Sequence, residues 1–295
     1  MGTYPDSFRQ SHFFHSCLQN QIFHNEMNPV CRGLKKTKKG ETQMTFEIDL
    51  KERKAVVTGG GSGIGKASVL ALAMAGADVA FTYLESNDSA YRVAEEVKNL
   101  GREAFPIKCD VTDLKDVDSL KEQAVSSLGG IDILVNNAGA ALARVPFLEA
   151  EDELWQRSFQ LNVMGVFRCC RAFLPQMIAK KFGRVINISS LAATNGGIPN
   201  SLHYASMKGA VNTMTIGLAN QFSPMGITVN AIAPGIIDTP FQVKTPGIDF
   251  EKAARSMPAG RVGVPSDIAP MVVYLSSDYA SLITGEIYHI DGGKR

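Results

Sequence analysis

The 295-residue chain has few cysteines, and their pattern is uninformative in a useful way: Cys17, Cys31, Cys109, Cys169 and Cys170 are odd in number and show no C-x-x-C spacing. A chain this long can build its own core, so a disulfide-stapled secreted module is excluded. The thiols read as reduced, in a cytoplasmic protein. Net charge is lacking too. Thirty Lys+Arg against 29 Asp+Glu leave a formal +1, with no overall basic field to gather nucleic acid or an anionic membrane. No apolar run reaches the roughly 18 residues a membrane helix needs; the candidate around Val69–Ala75 is cut by Gly76 and Asp78. Hydrophobic residues make up 45% and charged residues 20%, which excludes disorder as a description of the whole chain.

The balance of charge is uneven along the chain. Residues 1–43 hold six Lys/Arg and three Asp/Glu, three of the five histidines (His12, His15, His24) and the run Lys35-Lys36-Thr37-Lys38-Lys39-Gly40. With no sustained hydrophobic period, this segment is expected to be a disordered basic extension. It has neither the unbroken apolar core of a signal peptide nor the Arg-rich amphipathic face of a transit peptide, and Met44 offers an alternative start. His12, His15, Cys17, His24 and Cys31 match no tight zinc spacing, so no metal is expected.

From Lys54 onward, short Val/Ile-rich runs alternate with longer helical patterns. Strands are predicted at 55–58, 79–83, 104–108, 131–136, 185–189, 228–233 and 286–290, with crossover helices at 63–76, 89–101, 113–129, 154–182 and 204–224. This alternation gives one α/β domain over 44–295, a doubly wound seven-stranded parallel sheet with helices on both faces. Cys169 and Cys170 fall on the apolar face of a long helix and read as core.

Chemistry is concentrated at the carboxyl ends of the predicted strands, where such sheets bind ligands. Thr58-Gly59-Gly60-Gly61-Ser62-Gly63-Ile64-Gly65 follows the first strand and opens the first helix. Glycine lets the backbone approach a pyrophosphate, and the helix N-terminus offers free N–H groups to it. Asp110-Val111 ends the third strand, and Asn136-Asn137-Ala138-Gly139 the fourth. Tyr83 occupies the second-strand position where an acid would hold the ribose 2′-OH of NAD. The missing carboxylate favours NADP, while nearby Glu85 leaves NAD open. Tyr204-Ala205-Ser206-Met207-Lys208 sets a phenol and an ammonium one helical turn apart, where the cation would favour the phenolate.

Fourteen residues before Tyr204 is Ser190, and further back Asn162 lies in Leu161-Asn162-Val163-Met164-Gly165. In this order, Thr-Gly-x-x-x-Gly-x-Gly, Asn-Asn-Ala-Gly, Asn-x-x-Gly, Ser and Tyr-x-x-x-Lys, with Pro234-Gly235 and Asp291-Gly292-Gly293 after them, resemble the short-chain dehydrogenases/reductases. The resemblance covers roughly residues 48–295 and implies a Rossmann-type domain and an NAD(P)-dependent oxidoreductase interconverting a carbonyl and a secondary alcohol. It implies Tyr204 as general acid/base, Ser190 as the hydrogen-bond donor to the reacting oxygen, Lys208 on the nicotinamide ribose, and Asn162 holding a water that links Lys208 to solvent. Gly59, Ser62, Gly63, Ile64, Gly65, Tyr83, Asp110, Val111, Asn137, Ala138 and Gly139 are its expected cofactor contacts. Pro234, Gly235, Ile237 and Thr239 would close over the nicotinamide amide. A homotetramer paired through the helices at 154–182 and 204–224 is also implied.

The Ser–Tyr interval is one residue longer than the family's usual spacing, which reads as an insertion within Leu191–His203. Ser189 is the competing hydroxyl, but strand alternation turns it to the opposite face. His203, adjacent to Tyr204, is expected at the pocket rim or surface. A polar lid is expected over 241–260, where Lys244, Thr245, Asp249, Lys252 and Arg255 suit a 3-oxoacyl thioester or a sugar-like or polyol-like small molecule. The alternative function is a catalytically inactive dinucleotide-binding regulator. A hydrolase built on Ser190 lacks both a G-x-S-x-G elbow and a histidine partner.

Overall fold

The computed structural model describes residues 34–36, 42–44, 47–85, 87–240 and 248–294. The chain divides into two compact units, Met1–Glu47 and Ile48–Arg295. In the first, Leu34–Lys36 pairs antiparallel with Thr42–Met44. The remaining expectations for residues 1–43, the histidine and cysteine residues among them, lie outside the described residues.

The second unit contains all seven expected strands: β1 Lys54–Val57, β2 Asp78–Tyr83, β3 Ala104–Lys108, β4 Ile133–Asn136, β5 Gly183–Ile188, β6 Ile227–Pro234 and β7 Ile287–Ile290. They form one sheet in the order β3-β2-β1-β4-β5-β6-β7, every pair parallel. The order reverses between β1 and β4, and at that switch point the carboxyl ends open a crevice. Strands covered on both faces read as continuous apolar runs; β6 is buried at all eight positions.

Alternation along the strands divides the core in two. Val57, Val79, Phe81, Ile186 and Ile232 face Val69 and Leu72 of α1 (Gly63–Met74), Val93 of α2 (Asn87–Asn99) and Val272 of α9 (Pro265–Ser276). Val56, Ala80, Leu134, Val185 and Val229 face Leu120 of α3 (Leu114–Leu128), Phe173 of α5 (Gly165–Lys180) and Val211 of α7 (Leu202–Phe222). Cys169 and Cys170 belong to this second layer. Local signals set the helix ends: the Asp113 carboxylate caps α3 by accepting the Lys115 N–H, and left-handed Gly129 ends it.

The single long helix expected over 154–182 is broken. α4 (Asp152–Phe159) passes into a π turn, Gln160–Met164, before α5 begins. The Gly165 N–H bonds to Gln160 O, five residues back. A π turn re-aims one side chain without altering the apolar period noticeably, and the side chain here is Asn162. The last helices are α9 and α8 (Phe250–Arg255), the latter inside the expected lid; residues 241–247 of that lid lie outside the described residues. A short α6 (Ala192–Asn195) follows β5. Among the described residues no helix is long and apolar enough to cross a membrane.

Candidate active site

The glycine turn between β1 and α1 is held by two threonines. Gly59 donates its N–H to Thr82 Oγ1 at 2.9 Å, and Thr58 Oγ1 accepts the N–H groups of Asn137 and Ala138, each at 2.9 Å. Asn137 Nδ2 returns hydrogen bonds to Thr58 O at 2.9 Å and Gly59 O at 3.1 Å. The first and fourth strand ends are thereby laced into one floor. Gly59 and Gly63 are left-handed, and a methyl on Gly65 would lie 2.0 Å from Gly59 O, so no side chain fits. Ser62 caps α1 without a side-chain bond, and the first turn carries no acid. A tight backbone cradle at an uncapped helix N-terminus suits a pyrophosphate.

The remaining expected cofactor residues ring this cradle unevenly. Tyr83 stands beside Gly61 and shares a hydrogen bond with Tyr91; burial pushes its phenol upward. Asp110 Oδ1 accepts both the N–H and hydroxyl of Thr112 at 2.8 Å, fixing its own turn. Val111 is buried against Gly165, so it can offer a ligand only its backbone. On the far side Gly235 donates to Ile290 O at 3.0 Å, and Asp238 to Gly263 O at 2.9 Å. That path carries Pro234, Gly235 and Ile237 across the sheet edge to Thr239, whose side chain lies beside Gly63. The segment thus reaches the glycine turn.

Ser190, Tyr204, Lys208 and Asn162 converge from three elements. Tyr204 and Lys208 lie on α7, with Lys208 Nζ 5.6 Å from the Tyr204 ring centroid. The Tyr204 phenol is hydrogen-bonded to the Ser190 side chain. Lys208 is buried and donates to Ile188 O, at the end of β5, at 2.7 Å. A methyl on Gly139 would lie 2.7 Å from Asn162 Oδ1 and 3.3 Å from Lys208 Nζ, so Gly139 separates these two groups. Asn162 Oδ1 accepts the Ala140 N–H at 3.2 Å, while its Nδ2 donates to Ala140 O at 2.9 Å and Ser158 O at 3.1 Å. It pins the loop after β4 to the π turn.

The expected effect of Lys208 on Tyr204 is not what dominates. Burial pushes the Tyr204 phenol up to about 12, opposed by its hydrogen bond to Ser190, and pulls the Lys208 ammonium down to about 8. Desolvation of each charged form outweighs the benefit of a neighbouring cation. At neutral pH the pair is therefore a neutral phenol beside a cation, a proton donor with a charge behind it.

Two further expectations are decided here. Ser189 Oγ is buried and lies 2.5 Å from Asn212 Oδ1 on α7, whereas Ser190 faces Tyr204. The longer Ser–Tyr interval is taken up by α6 and a loop in which Asn200 is left-handed. His203, expected at the rim or surface, is instead buried: a ring nitrogen lies 2.6 Å from Ala141 O, and the ring packs edge-on against Trp155. Thr58, which opens the glycine motif, and Thr82 are not among the site residues expected from the sequence. A hydroxyl at a strand end was the available signal for Thr58, and nothing local marked Thr82.

A family model described as Enoyl-(Acyl carrier protein) reductase matches residues 59–295. The 3-oxoacyl-[acyl-carrier-protein] reductase FabG of Staphylococcus aureus is 35% identical over 241 residues, covering 82% of this chain and 97% of that protein. The 3-oxoacyl-[acyl-carrier-protein] reductase of Synechocystis sp. is 37% identical over 240 residues, covering 81% and 95%. Among solved structures, a Serratia marcescens short-chain dehydrogenase/reductase variant superposes with TM-score 0.77 at 37% identity, over 83% of this chain and 98% of that one. A metagenomic blue fluorescent protein in complex with NADPH gives TM-score 0.77 at 36% identity over the same shares. With its parallel sheet, glycine cradle and Ser–Tyr–Lys cluster, the chain belongs to the short-chain dehydrogenases/reductases and is an oxidoreductase.

Proposed function

We propose that the chain reduces the ketone of a 3-oxoacyl thioester to the secondary alcohol with NADPH, using Tyr204 as proton donor. The observation that carries this reading is the Tyr204–Ser190 hydrogen bond beside the buried Lys208 ammonium, next to the glycine cradle. The substrate class rests on the relatives that are 3-oxoacyl-[acyl-carrier-protein] reductases. The cofactor rests on the NADPH held by a structural neighbour and on the absence of a carboxylate at Tyr83.

Bound in the cradle, the reduced nicotinamide supplies the hydride. The protein's own part is positioning and proton transfer. Gly59, Ser62, Gly63, Ile64 and Gly65 would offer backbone to the pyrophosphate; Tyr83, Asp110, Val111, Asn137, Ala138 and Gly139 would hold the rest of the dinucleotide, with Pro234, Gly235, Ile237 and Thr239 at its nicotinamide end. Ser190 and Tyr204 donate hydrogen bonds to the ketone oxygen, stabilising the charge that grows on it. Tyr204 then gives up its phenol proton to that oxygen, and Lys208 steadies the resulting phenolate. Asn162 holds the loop that sets Gly139 against Lys208, where a water would link Lys208 to solvent for reprotonation.

A sugar or polyol substrate is the second reading, supported by the polar residues Asp249, Lys252 and Arg255 of the lid. The complete Asn162–Ser190–Tyr204–Lys208 set weighs against an inactive regulator. NADPH and NADH oxidation with a panel of 3-oxoacyl thioesters, sugars and ketones tests both; turnover that survives Tyr204→Phe unchanged would overturn the assignment. A cytoplasmic homotetramer fits the exposed apolar Phe159, Phe167 and Ile216 on α4, α5 and α7, and light scattering checks it.

A further inference from the structure

Arg144 is a half-buried cation without an anion. Arg53, Arg102 and Arg184 each face an aspartate. No carboxylate among the described residues pairs with Arg144, and its Nε–H is sealed from solvent with no acceptor. A buried donor left unmet is costly, and a partly desolvated guanidinium is a bidentate ligand for a carboxylate.

Its loop is pinned at one end to α7 and at the other to the segment that leads into that helix. On one side Ala141 O meets the ring nitrogen of His203 at 2.6 Å, and on the other Val145 donates its N–H to Asn200 O at 2.9 Å. Leu142 (φ 63°) and Asn200 (φ 66°) are both left-handed without being glycine, a strain that loops at ligand sites retain. The Arg144 backbone is thus held beside the first turn of α7, the turn that carries Tyr204. Further along, Phe147, Trp155 and His203 stack edge-on in series, which ties the residues after Arg144 to the same first turn of α7.

We propose that Arg144 recognises a carboxylate carried on the same small molecule as the ketone, so that the enzyme also reduces free 3-oxo acids. The inference rests on reading the Tyr204 site as a ketone reductase. A free 3-oxo acid places its carboxylate one methylene from the ketone carbon, within range of a loop tied to α7. The phosphates of a carrier or coenzyme A thioester lie a whole pantetheine arm away. The reaction balances as for the thioester: hydride to the ketone carbon, the Tyr204 proton to its oxygen, and the carboxylate unchanged.

The test compares the wild type with Arg144→Gln and Arg144→Lys on 3-oxobutanoate, its ethyl ester, its N-acetylcysteamine thioester and its coenzyme A thioester. The free-acid to ester ratio of kcat/KM should fall roughly tenfold or more in Arg144→Gln, mainly through KM, with partial recovery in Arg144→Lys. An equal loss on all four substrates, or an unchanged ratio, would overturn the proposal. So would a loss confined to the coenzyme A thioester, which would mark phosphate recognition instead. Calorimetric titration of 3-hydroxybutanoate into the NADP-loaded protein separates the two readings. Should no ketone turn over, the reductase reading fails; binding that weakens in Arg144→Gln still upholds the carboxylate site, and no binding sinks it.

Discussion

Ser189 and Ser190 are neighbours in the chain and serve opposite faces of the sheet: Ser189 Oγ meets Asn212 Oδ1 on α7, while Ser190 bonds the Tyr204 phenol. Just past the end of β5 the two hydroxyls diverge, Ser189 into α7 and Ser190 toward the proposed proton donor. Ser190→Ala should lower kcat by about 10²-fold, the usual cost of one donor to a developing oxyanion. Ser189→Ala should leave kcat near wild type and cost about 1 kcal/mol of stability. Steady-state kinetics and urea unfolding on both variants check the pair; the reverse pattern would exchange their roles.

Removing the phenol is the sharper test of the proton donor. Tyr204→Phe keeps the ring and should retain NADPH binding, while kcat falls by about 10²- to 10⁴-fold. Fluorescence titration of NADPH alongside single-turnover rates distinguishes lost chemistry from lost binding.

Activity and stability should depend on pH through Lys208 and Tyr204 in opposite senses. The folded Lys208 loses its proton near 8, against an ordinary 10.5, so reduction should decline above about pH 8 as the cation disappears. Lys208→Arg, charged at every accessible pH, should move that decline to higher pH. For stability, the unfolded chain holds the Lys208 proton longer than the native one, so this group raises stability as pH climbs from 8 to 10.5. Tyr204, about 12 when folded against 10.0 ordinarily, keeps its proton longer in the native state, so stability falls as pH rises above 10. The buried Cys109, Cys169 and Cys170 thiols are also raised above 9.0 and pull stability down over the same range. The Lys208 part is therefore read as the difference in unfolding free energy between wild type and Lys208→Met across pH 7–11; a difference that does not shift in favour of the wild type between pH 8 and 10.5 would contradict the Lys208 shift.

The glycine cradle should tolerate almost nothing at Gly65. A Cβ there meets Gly59 O at 2.0 Å and Asn137 Nδ2 at 2.6 Å, both parts of the laced floor. Gly65→Ala should destabilise the protein by at least about 2 kcal/mol and weaken NADPH at least about tenfold. Gly217→Ala, where a Cβ meets nothing, is the matched control and should be neutral or slightly stabilising.

Cofactor choice can be moved at Tyr83. Introducing an acid where the ribose 2′-OH would be held, Tyr83→Asp, should shift the NADPH to NADH preference by roughly tenfold toward NADH. An unchanged kcat/KM ratio would mean that the adenosine ribose lies elsewhere.

Much of this molecule was determined by its sequence alone. Seven strands and their crossover helices follow from local period, and the order of the motifs places Ser190, Tyr204 and Lys208 at one sheet edge. These signals depend on neighbours a few residues away, and so survive without the fold. Tertiary structure decided the rest. Thr82 supports Gly59 from 23 residues away. Asn162 owes its aim to a π turn that leaves almost no trace in hydrophobic period. His203 is core because Trp155 and Ala141 close over it. The charge state of the Tyr204–Lys208 pair depends on desolvation by everything packed around it, which outweighs the i, i+4 neighbour visible in the sequence. Arg144, unremarkable as a letter in a loop, stands out only because no carboxylate among the described residues pairs with it.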